Sequence, residues 1–247
     1  MKLIVVDLGT MAYGDALDLQ RATAAARIAG QVADDVLLLV EHPPVVTLGR
    51  GTKPGHLVAS EAQLLARGVE LFEVERGGDV TFHGPGQLVG YPIMDLKQHR
   101  QDLHWYLRQV EESIIQAMAA CGLGCFRNPG LTGVWTRGMT APQSPGGTPQ
   151  SPRKLASIGV HARDWVTWHG FALNVATDLS FFDLIVPCGI GDVTMTTVQR
   201  ELGDRHPGPE QVTDAVVRSF GEVFGVPVES RPPGWLESAI PVAQTSG

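Results

Sequence analysis

Cys188 is the residue in this sequence that is best suited to act as a nucleophile. It stands in the segment Pro187-Cys188-Gly189-Ile190-Gly191, directly after an apolar run. The small residues that follow leave room for attack at the sulfur, and nearby backbone N–H groups could stabilise an oxyanion. The alternative is a buried, inert thiol, because free cysteines are commonly packed in protein interiors. The local sequence leaves both interpretations open.

Lys154 could keep such a sulfur reactive. An unperturbed thiol has a pKa of about 8.5 and is only about 3% ionised at pH 7, and lowering that pKa by roughly 1.5 units takes about 2 kcal/mol. An ammonium group in a sheltered site can supply that much. Lys154 begins an apolar strand-like segment and could equally be exposed, as most lysines are. The two residues are 188 − 154 = 34 positions apart, so only the fold can bring them together.

A glycine-rich segment, residues 76–87, is a candidate for ligand binding. Four glycines and one proline fall between Gly77 and Gln87. Glycines let the backbone approach a ligand closely and expose N–H donors. Arg76 and His83 would flank that ligand. Two tight turns around a short strand, with His83 in a structural role, are the alternative.

The remaining cysteines and histidines give weaker signals. Cys121 and Cys125 lie in the sequence CGLGC without a partner pair at zinc-ligand spacing. We therefore expect both to be structural and predict no metal site. His169 directly precedes Gly170-Phe171-Ala172-Leu173-Asn174 and could line a site.

Patterns along the chain predict the elements that must position these residues. Strands alternate first with helices and later pair as hairpins, which favours an α/β (α+β) architecture: a mixed sheet with flanking helices, placed on one side. Pro92 predicts an edge strand or a bulge. Strands are predicted at 3–6, 36–40, 45–48, 69–74, 87–94, 154–161 and 166–175, and helices from about Tyr13 to Gly30, from Ser60 with a capping box to Gly68, and at 102–120 and 210–224.

Composition limits the possible classes of protein. The chain has 247 residues, of which 43% are hydrophobic and 18% are charged, enough for a substantial core. We expect a single catalytic domain over residues 1–240, with a flexible inserted loop at 139–152 and a loose tail at 241–247. The formal net charge of −7 argues against bulk attraction to nucleic acid. No stretch is long enough to span a membrane or serve as a signal peptide, and three cysteines fit a reducing compartment, so we expect a cytoplasmic protein.

Four segments in fixed order resemble one known family. They are RGGDVTFHGPGQLVGYPIMDL, KLASIGV, WHGFALNV and a PCG cysteine. Together they are similar to the lipoyl(octanoyl) transferases, which are octanoyl-[acyl-carrier-protein]:protein N-octanoyltransferases. The resemblance covers roughly residues 35–200. The four segments in this order are highly specific for the family, whereas each segment alone is only suggestive.

The resemblance implies a fold related to the biotin and lipoate protein ligases, and an activity without a cofactor. An octanoyl group would pass from octanoyl-acyl carrier protein to a lysine of lipoyl domains, those of 2-oxoacid dehydrogenase complexes and of the glycine cleavage H protein. A cysteine would carry the acyl thioester and a lysine would lower its pKa; these roles fall on Cys188 and Lys154. The implied substrate-binding residues are Arg76, Gly77, Gly78, Asp79, Val80, Thr81, Phe82, His83, Ser157, Ile158, Gly159, Gly170, Phe171 and Ala172.

This chain departs from the family pattern at Asp79, where a neutral polar residue is common, and in the Pro/Gly/Ser loop before Lys154. Other classes remain open: an ATP-dependent lipoate or biotin ligase, a hydrolase using Cys188 with His83 or His169, and a noncatalytic acyl-binding protein.

Both expected protein partners are acidic, so we expect a local basic patch. Candidates for the patch are Arg50, Lys53, Arg76, Arg137, Arg153 and Arg163, and candidates for an apolar acyl slot are Leu88, Tyr91, Phe82, Ile158 and Phe171.

Overall fold

A computed structural model describes residues 1–137, 151–187 and 193–240 of the chain. Two expected features lie outside these ranges: the loop at 139–152, apart from its last two residues, and the tail at 241–247. The strands are β1 (Leu3–Thr10), β2 (Asp35–Glu41), β3 (Val45–Leu48), β4 (Glu70–Glu73), β5 (Val80–His83), β6 (Gln87–Ile93), β7 (Cys125–Asn128), β8 (Leu131–Thr136), β9 (Arg153–Arg163), β10 (Val166–Asn174), β11 (Thr194–Met195) and β12 (Val228–Arg231). The α-helices are α1 (Tyr13–Ile28), α2 (Glu61–Ala66), α3 (Leu103–Ala120), α4 (Val198–Leu202), α5 (Pro209–Phe224) and α6 (Gly234–Ala239).

Two sheets organise the described part of the chain. The larger sheet has the order β12-β1-β2-β6-β10-β9-β8-β7, with β11 added beside β9. Its β1 strand runs parallel to β2 and β12, and β11 runs parallel to β9, whereas the other neighbours are antiparallel. A smaller sheet has the order β4-β3-β5. The predicted mixed sheet is therefore confirmed.

Helices cover both faces of the larger sheet, so the expectation of helices on one side is wrong. Helices α3 and α5 pack with Leu3 and Leu37 on one face. Helix α1 packs with Ile4 and Leu38 on the other. The reason is visible in β2, whose residues from Asp35 to Val40 are all buried, because a strand covered on both sides is apolar without alternation.

Local sequence signals set several element ends correctly. Ser60 and Gln63 form the predicted capping box at the start of α2. Gly30 adopts a positive φ of 72° just after α1. The predicted hairpin of β9 and β10 turns at Asp164 and Trp165, which both have positive φ, as a tight two-residue hairpin turn requires.

Pro92 lies in the centre of the larger sheet, so the prediction of an edge strand is wrong. Strand β6 is hydrogen-bonded to β2 on one side and to β10 on the other. Its ladder with β10 ends at the pair Gly90 and Phe171. Hydrogen bonds between the two chain segments resume beyond Pro92, between Met94 and Thr167. Pro92 thus occupies a gap in that ladder, where no N–H donor is needed. Its carbonyl accepts a hydrogen bond from the Thr167 hydroxyl at 2.8 Å.

No helix of the described residues is long and apolar enough to cross a bilayer.

Candidate active site

A cavity of about 240 Å³ lies between the two sheets. Strand β5 forms one wall, and β9, β10 and β6 form another, while α1 contributes Tyr13. Of the substrate-binding and catalytic residues predicted from sequence, the following line it: Arg76, Gly78, Asp79, Val80, Thr81, His83, Lys154, Ser157, Ile158, Gly159, Gly170, Phe171 and Ala172. The segment 76–83 and the β9–β10 hairpin, which are far apart in sequence, therefore meet around one space.

Two predicted residues, Gly77 and Phe82, lie beside the cavity without lining it. The Gly77 N–H donates to the Val160 carbonyl at 2.8 Å and ties the glycine-rich segment to β9. Phe82 packs in a separate apolar cluster and stacks on Phe181 at a ring-centroid distance of 4.7 Å. Leu88, expected in the acyl slot, lines a different cavity together with Glu41 and Pro209. Tyr91, Ile158 and Phe171 do line the central one.

Sequence reasoning missed part of the wall. Tyr13, Val89 and the turn Gly130-Leu131-Thr132 also line the cavity. Tyr13 reaches it from α1, and its ring stacks on His83 with centroids 5.9 Å apart. Its buried position was signalled only by the apolar face of α1, which does not reveal what that face packs against. Burial raises the pKa of Tyr13 to about 12, so its hydroxyl stays protonated at neutral pH.

Lys154 is buried, with only 2% of its surface exposed. It is the second residue of β9, and its Nζ lies 5.5 Å from the centroid of the Trp135 ring on β8. Gly133 lies so close to this side chain that a Cβ there would be 2.7 Å from Lys154 Cε. Of the two interpretations that the sequence allowed, the exposed lysine is excluded.

Cys188 lies outside the described residues; the described chain before it is linked to the cavity residue Asp79 through His56, and the chain after it pairs with the cavity residue Lys154. Before it, the Val186 N–H donates to the His56 carbonyl at 2.7 Å. The His56 ring contacts Asp79, a cavity residue, with 2.6 Å between Nδ1 and Oδ2. After it, Met195 pairs with Lys154 in the β11–β9 ladder.

Cys121 and Cys125 are poorly suited to nucleophilic chemistry. Burial raises the pKa of the Cys121 thiol, and it raises that of Cys125 to about 12. Both side chains pack against the larger core. Among residues 1–137, 151–187 and 193–240, no group of three or more His, Cys, Asp or Glu side chains could hold a metal ion.

Arg76 is held beneath the glycine-rich segment by the smaller sheet. Its Nη2 donates to the Thr47 carbonyl at 2.7 Å and to the Thr47 hydroxyl at 2.8 Å. Its Nη1 donates to the Gly77 carbonyl at 3.2 Å. The guanidinium is 7% exposed and lines the cavity, so its charge acts inside the site and not on the surface. Its expected place in a basic surface patch is therefore wrong.

Three buried histidines surround the inner part of the site and are neutral at physiological pH. Burial lowers the pKa of His42 to about 4 and the pKa of both His83 and His169 to about 3. His42 Nδ1 lies 2.8 Å from the Met11 carbonyl and its Nε2 lies 2.7 Å from the Tyr91 hydroxyl. Because a carbonyl only accepts, Nδ1 carries the proton and Nε2 accepts from Tyr91. These imidazoles are weak bases that act as hydrogen-bonding groups.

Comparison with known proteins places this site in a family. The family model of the lipoyl protein ligase A/B catalytic domain matches residues 12–221. An octanoyltransferase of Myxococcus xanthus is 46% identical over 245 residues, covering 99% of this chain and 66% of that protein. An octanoyltransferase of Acidobacterium capsulatum is 46% identical over 246 residues, covering 96% of this chain and 94% of that protein.

Solved structures with low sequence identity share the fold. A bipartite lipoate protein ligase from an archaeal lipoylation system of Thermoplasma acidophilum superposes with a TM-score of 0.73 at 17% identity, covering 97% of this chain and 90% of that chain. A lipoate-protein ligase A bound with ATP gives a TM-score of 0.72 at 16% identity, covering 97% and 92%. The match of the family model over residues 12–221 and the 46% identity to octanoyltransferases show that the chain belongs to the lipoyl protein ligase A/B catalytic domain family. Within that family it is an acyltransferase, as its octanoyltransferase relatives are.

Proposed function

We propose that this protein transfers an octanoyl group from octanoyl-acyl carrier protein to a lysine of lipoyl domains, through a thioester on Cys188. The acceptors would be the lipoyl domains of 2-oxoacid dehydrogenase complexes and the glycine cleavage H protein, in the cytoplasm. Residues 1–240 would act as one catalytic domain without a cofactor. The observation that carries the proposal is the buried amine of Lys154 at the wall of a cavity that also holds the family's substrate-binding segments.

The first half-reaction moves the acyl group between two sulfur atoms. The Cys188 thiolate attacks the carbonyl carbon of the donor thioester. A C–S bond to Cys188 forms, the C–S bond to the carrier breaks, and the carrier leaves as a thiol once it has taken a proton. Exchange between thioesters changes bond energy little, and the product remains activated toward an amine. The ammonium of Lys154 stabilises the thiolate before attack.

The second half-reaction forms an amide. The acceptor lysine must lose a proton before its nitrogen can attack the acyl-enzyme. Lys154, having passed its own proton to the departing carrier thiol, accepts that proton, directly or through intermediate transfers. The amide C–N bond forms, the Cys188 sulfur leaves as a thiolate, and the second proton of the attacking nitrogen passes to solvent. The thiolate and the ammonium are then both restored.

The cavity suits a short apolar chain. Its wall includes Val89, Ile158, Phe171 and Ala172. Seven carbons of an octanoyl group are CH₂ or CH₃ units, so full burial contributes about 5 kcal/mol at about 0.8 kcal/mol each.

The hydrolase alternative is disfavoured by the histidines. A catalytic base works best when its pKa lies near the operating pH. His83 and His169 have pKa values of about 3, lowered first by burial, and would rarely hold a proton at pH 7. Neither is matched to the role of a general base for Cys188.

A choice of donors tests the proposal against the ligase alternative. The protein is given a lipoyl domain with either octanoyl-acyl carrier protein or free octanoate and ATP. We expect an amide product with the first donor only, and no product with Cys188→Ser. Product from octanoate and ATP would establish adenylate chemistry instead, and full activity of Cys188→Ser with octanoyl-acyl carrier protein would refute the thioester on Cys188. Free octanoate as the only product would establish a hydrolase.

A further inference from the structure

Glu111 is a buried carboxylate that the proposed reaction does not use. It lies on α3 and has no exposed surface. Its Oε2 accepts from Arg108 Nη1 at 2.5 Å and from Arg127 Nε at 3.1 Å. Its Oε1 accepts from the Gly133 N–H at 3.0 Å. Burying a carboxylate is costly even when it is paired, and apolar side chains of similar volume often stabilise a core equally well. The presence of this one points to a role beyond packing.

The pairing of β8 is irregular around Gly133. The register of the strand shifts against β9 between Val134 and Trp135, and it also shifts against β7. Irregularities of this kind redirect side chains and are frequent beside active sites. A buried backbone N–H needs an acceptor, and Glu111 provides one for Gly133. The carboxylate therefore fixes the backbone of β8 where the strand departs from regular pairing.

Gly133 connects this carboxylate to Lys154. A Cβ at Gly133 would lie 2.7 Å from Lys154 Cε and 3.4 Å from its Nζ. Since a Cα–Cβ bond is about 1.5 Å long, the Gly133 Cα lies within about 4.2 Å of Cε, which is van der Waals contact. The nitrogen bonded to that Cα is the one that Glu111 holds. These contacts place Glu111 Oε1 within roughly 9 Å of the Lys154 amine, with one residue between them.

We propose that Glu111 is a positioning residue for the amine of Lys154 and acts through the Gly133 backbone, an inference that rests on the proposed function. The two arginines hold the carboxylate, and the carboxylate holds Gly133 against Lys154 Cε. When Gly133 moves, the aliphatic part of Lys154 loses a packing surface, and its amine can leave the place where it stabilises the thiolate. A misplacement of about 1 Å can lower the rate of a positioned reaction by roughly 10²-fold.

All three of these partners of Glu111 are donors, which makes the carboxylate hard to replace. Arg108 and Arg127 offer guanidinium N–H groups, and Gly133 offers a backbone N–H. A carboxylate accepts at both oxygens, whereas the amide of glutamine has one oxygen and one NH₂ donor. In Glu111→Gln the arginines take the oxygen, because hydrogen bonds from charged donors are stronger. The NH₂ group then faces the Gly133 N–H, donor against donor, and displaces the glycine.

Glu112→Gln is a matched control for Glu111→Gln. Glu112 is the next residue on α3, is only half-buried, and accepts from Arg127 Nη2 at 2.5 Å. Its substitution removes the same charge from beside the same arginine, whereas the Gly133 N–H donates to Glu111. A difference between the two variants therefore reports on the bond to Gly133 and not on the loss of one negative charge.

Lysine NMR shows the surroundings of the amine without any reaction. The chain has four lysines, of which three are exposed: Lys2, Lys53 and Lys97. In protein labelled with [¹³Cε]lysine, the Lys154 signal is assigned by its absence from Lys154→Arg. It should lie apart from the other three, because Nζ is 5.5 Å from the centroid of the Trp135 ring. We expect this signal to move toward those of the exposed lysines in Glu111→Gln and to keep its position in Glu112→Gln.

Kinetics separate positioning from a loss of stability. Well below the melting temperature of each variant, acyl-enzyme formation is followed in single turnovers at saturating octanoyl-acyl carrier protein. We expect the rate constant to fall about tenfold or more in Glu111→Gln and to stay constant in Glu112→Gln. If Glu111→Gln does not fold, Glu111→Asp, which keeps the charge but is one CH₂ shorter, should change the Lys154 signal and the rate in the same direction. An unchanged signal or an unchanged rate in the folded variant would overturn the proposal.

The outcomes separate the two proposals. No acyl-enzyme from octanoyl-acyl carrier protein in the natural protein would refute the proposed function itself. Acyl-enzyme on Cys188 that forms equally fast in Glu111→Gln and Glu112→Gln would refute only the present inference.

Discussion

The amine of Lys154 has two tasks in the proposed cycle, and one substitution separates them. Lys154→Arg keeps a positive charge near the sulfur but cannot accept a proton at neutral pH. Acyl-enzyme should still form, while transfer to the lipoyl lysine should fall by about 10²-fold or more, the usual contribution of a general base. Single-turnover kinetics of the two half-reactions measure this directly. Full turnover in Lys154→Arg would show that Lys154 is not the base.

The buried histidines make stability depend on pH in a defined direction. The pKa values of His42, His83 and His169 in the folded protein, about 4, 3 and 3, lie below the ordinary value of 6.5. As pH falls through 6.5, the unfolded chain binds protons that the folded chain does not, so stability is lost on acidification. Between pH 7.5 and 5.5 the loss is on the order of 1 kcal/mol per histidine.

Urea unfolding at these two pH values checks the expectation. The free energy of unfolding should be lower at pH 5.5, with a similar dependence on urea concentration. An equal or higher value at pH 5.5 would mean that these imidazoles are hydrated or paired differently in solution.

Strand β8 keeps Lys154 in position through a glycine. Gly133 has a φ of 128°, and its N–H donates to the buried Glu111 carboxylate of α3 at 3.0 Å. A Cβ at Gly133 would lie 2.5 Å from the Ala156 carbonyl oxygen and 2.7 Å from Lys154 Cε. Gly133→Ala should therefore destabilise the protein by about 1–3 kcal/mol and lower acyl transfer by displacing the amine.

Thermal melting and transfer kinetics of Gly133→Ala should be set beside those of Gly124→Ala. Gly124 is exposed, and a Cβ added there would have no neighbouring atom within 4 Å, so its substitution should leave both measurements nearly constant. Equal behaviour of the two variants would contradict the role assigned to Gly133.

Elements governed by neighbouring residues were predictable from sequence, and long-range arrangements were not. The capping box at Ser60 and the β9–β10 hairpin depend on a few adjacent residues, and both were correct. The burial of β2 on both faces depends on helices from opposite ends of the chain. An apolar run does not reveal which helices cover it, although the absence of alternation in Val36–Val40 was the available signal.

In the candidate site, too, features set by neighbouring residues were predictable from sequence and long-range contacts were not. The segments that line the cavity could be named because each carries a local glycine pattern or motif; their role in substrate binding stays a prediction. Tyr13 was missed because it meets His83, 70 positions later, only through packing (83 − 13 = 70). Lys154 could be named, but its burial is set by Trp135 and Gly133 on a neighbouring strand.

At the scale of the whole molecule, charge would govern encounter with the proposed partners. The chain carries a formal net charge of −7, and acidic partners would be repelled without a local basic surface. Arg50 and Lys53 remain exposed beside the glycine-rich segment, where the Arg50 N–H donates to the Arg76 carbonyl. Arg153 does not qualify, since it pairs with Glu201 at 2.7 Å. The basic surface is therefore smaller than the sequence suggested.

Removing both charges, in Arg50→Gln with Lys53→Gln, should lower kcat/KM for the carrier several-fold at low salt. The difference should shrink near 1 M salt, where the screening length is about 3 Å. The matched control is Lys2→Gln with Arg231→Gln, which removes the same charge at the β1–β12 edge, where both side chains pair with Glu229. Equal losses in the two double variants would point to net charge alone and contradict a local patch.

The central claim is that Cys188 carries the acyl group. Intact mass spectrometry of the protein after brief mixing with octanoyl-acyl carrier protein, without an acceptor, tests it most directly. We expect a mass gain of one octanoyl group that maps to Cys188, is absent in Cys188→Ala, and disappears when a lipoyl domain is added. An unchanged mass under conditions of full turnover, or a gain that persists in Cys188→Ala, would contradict it.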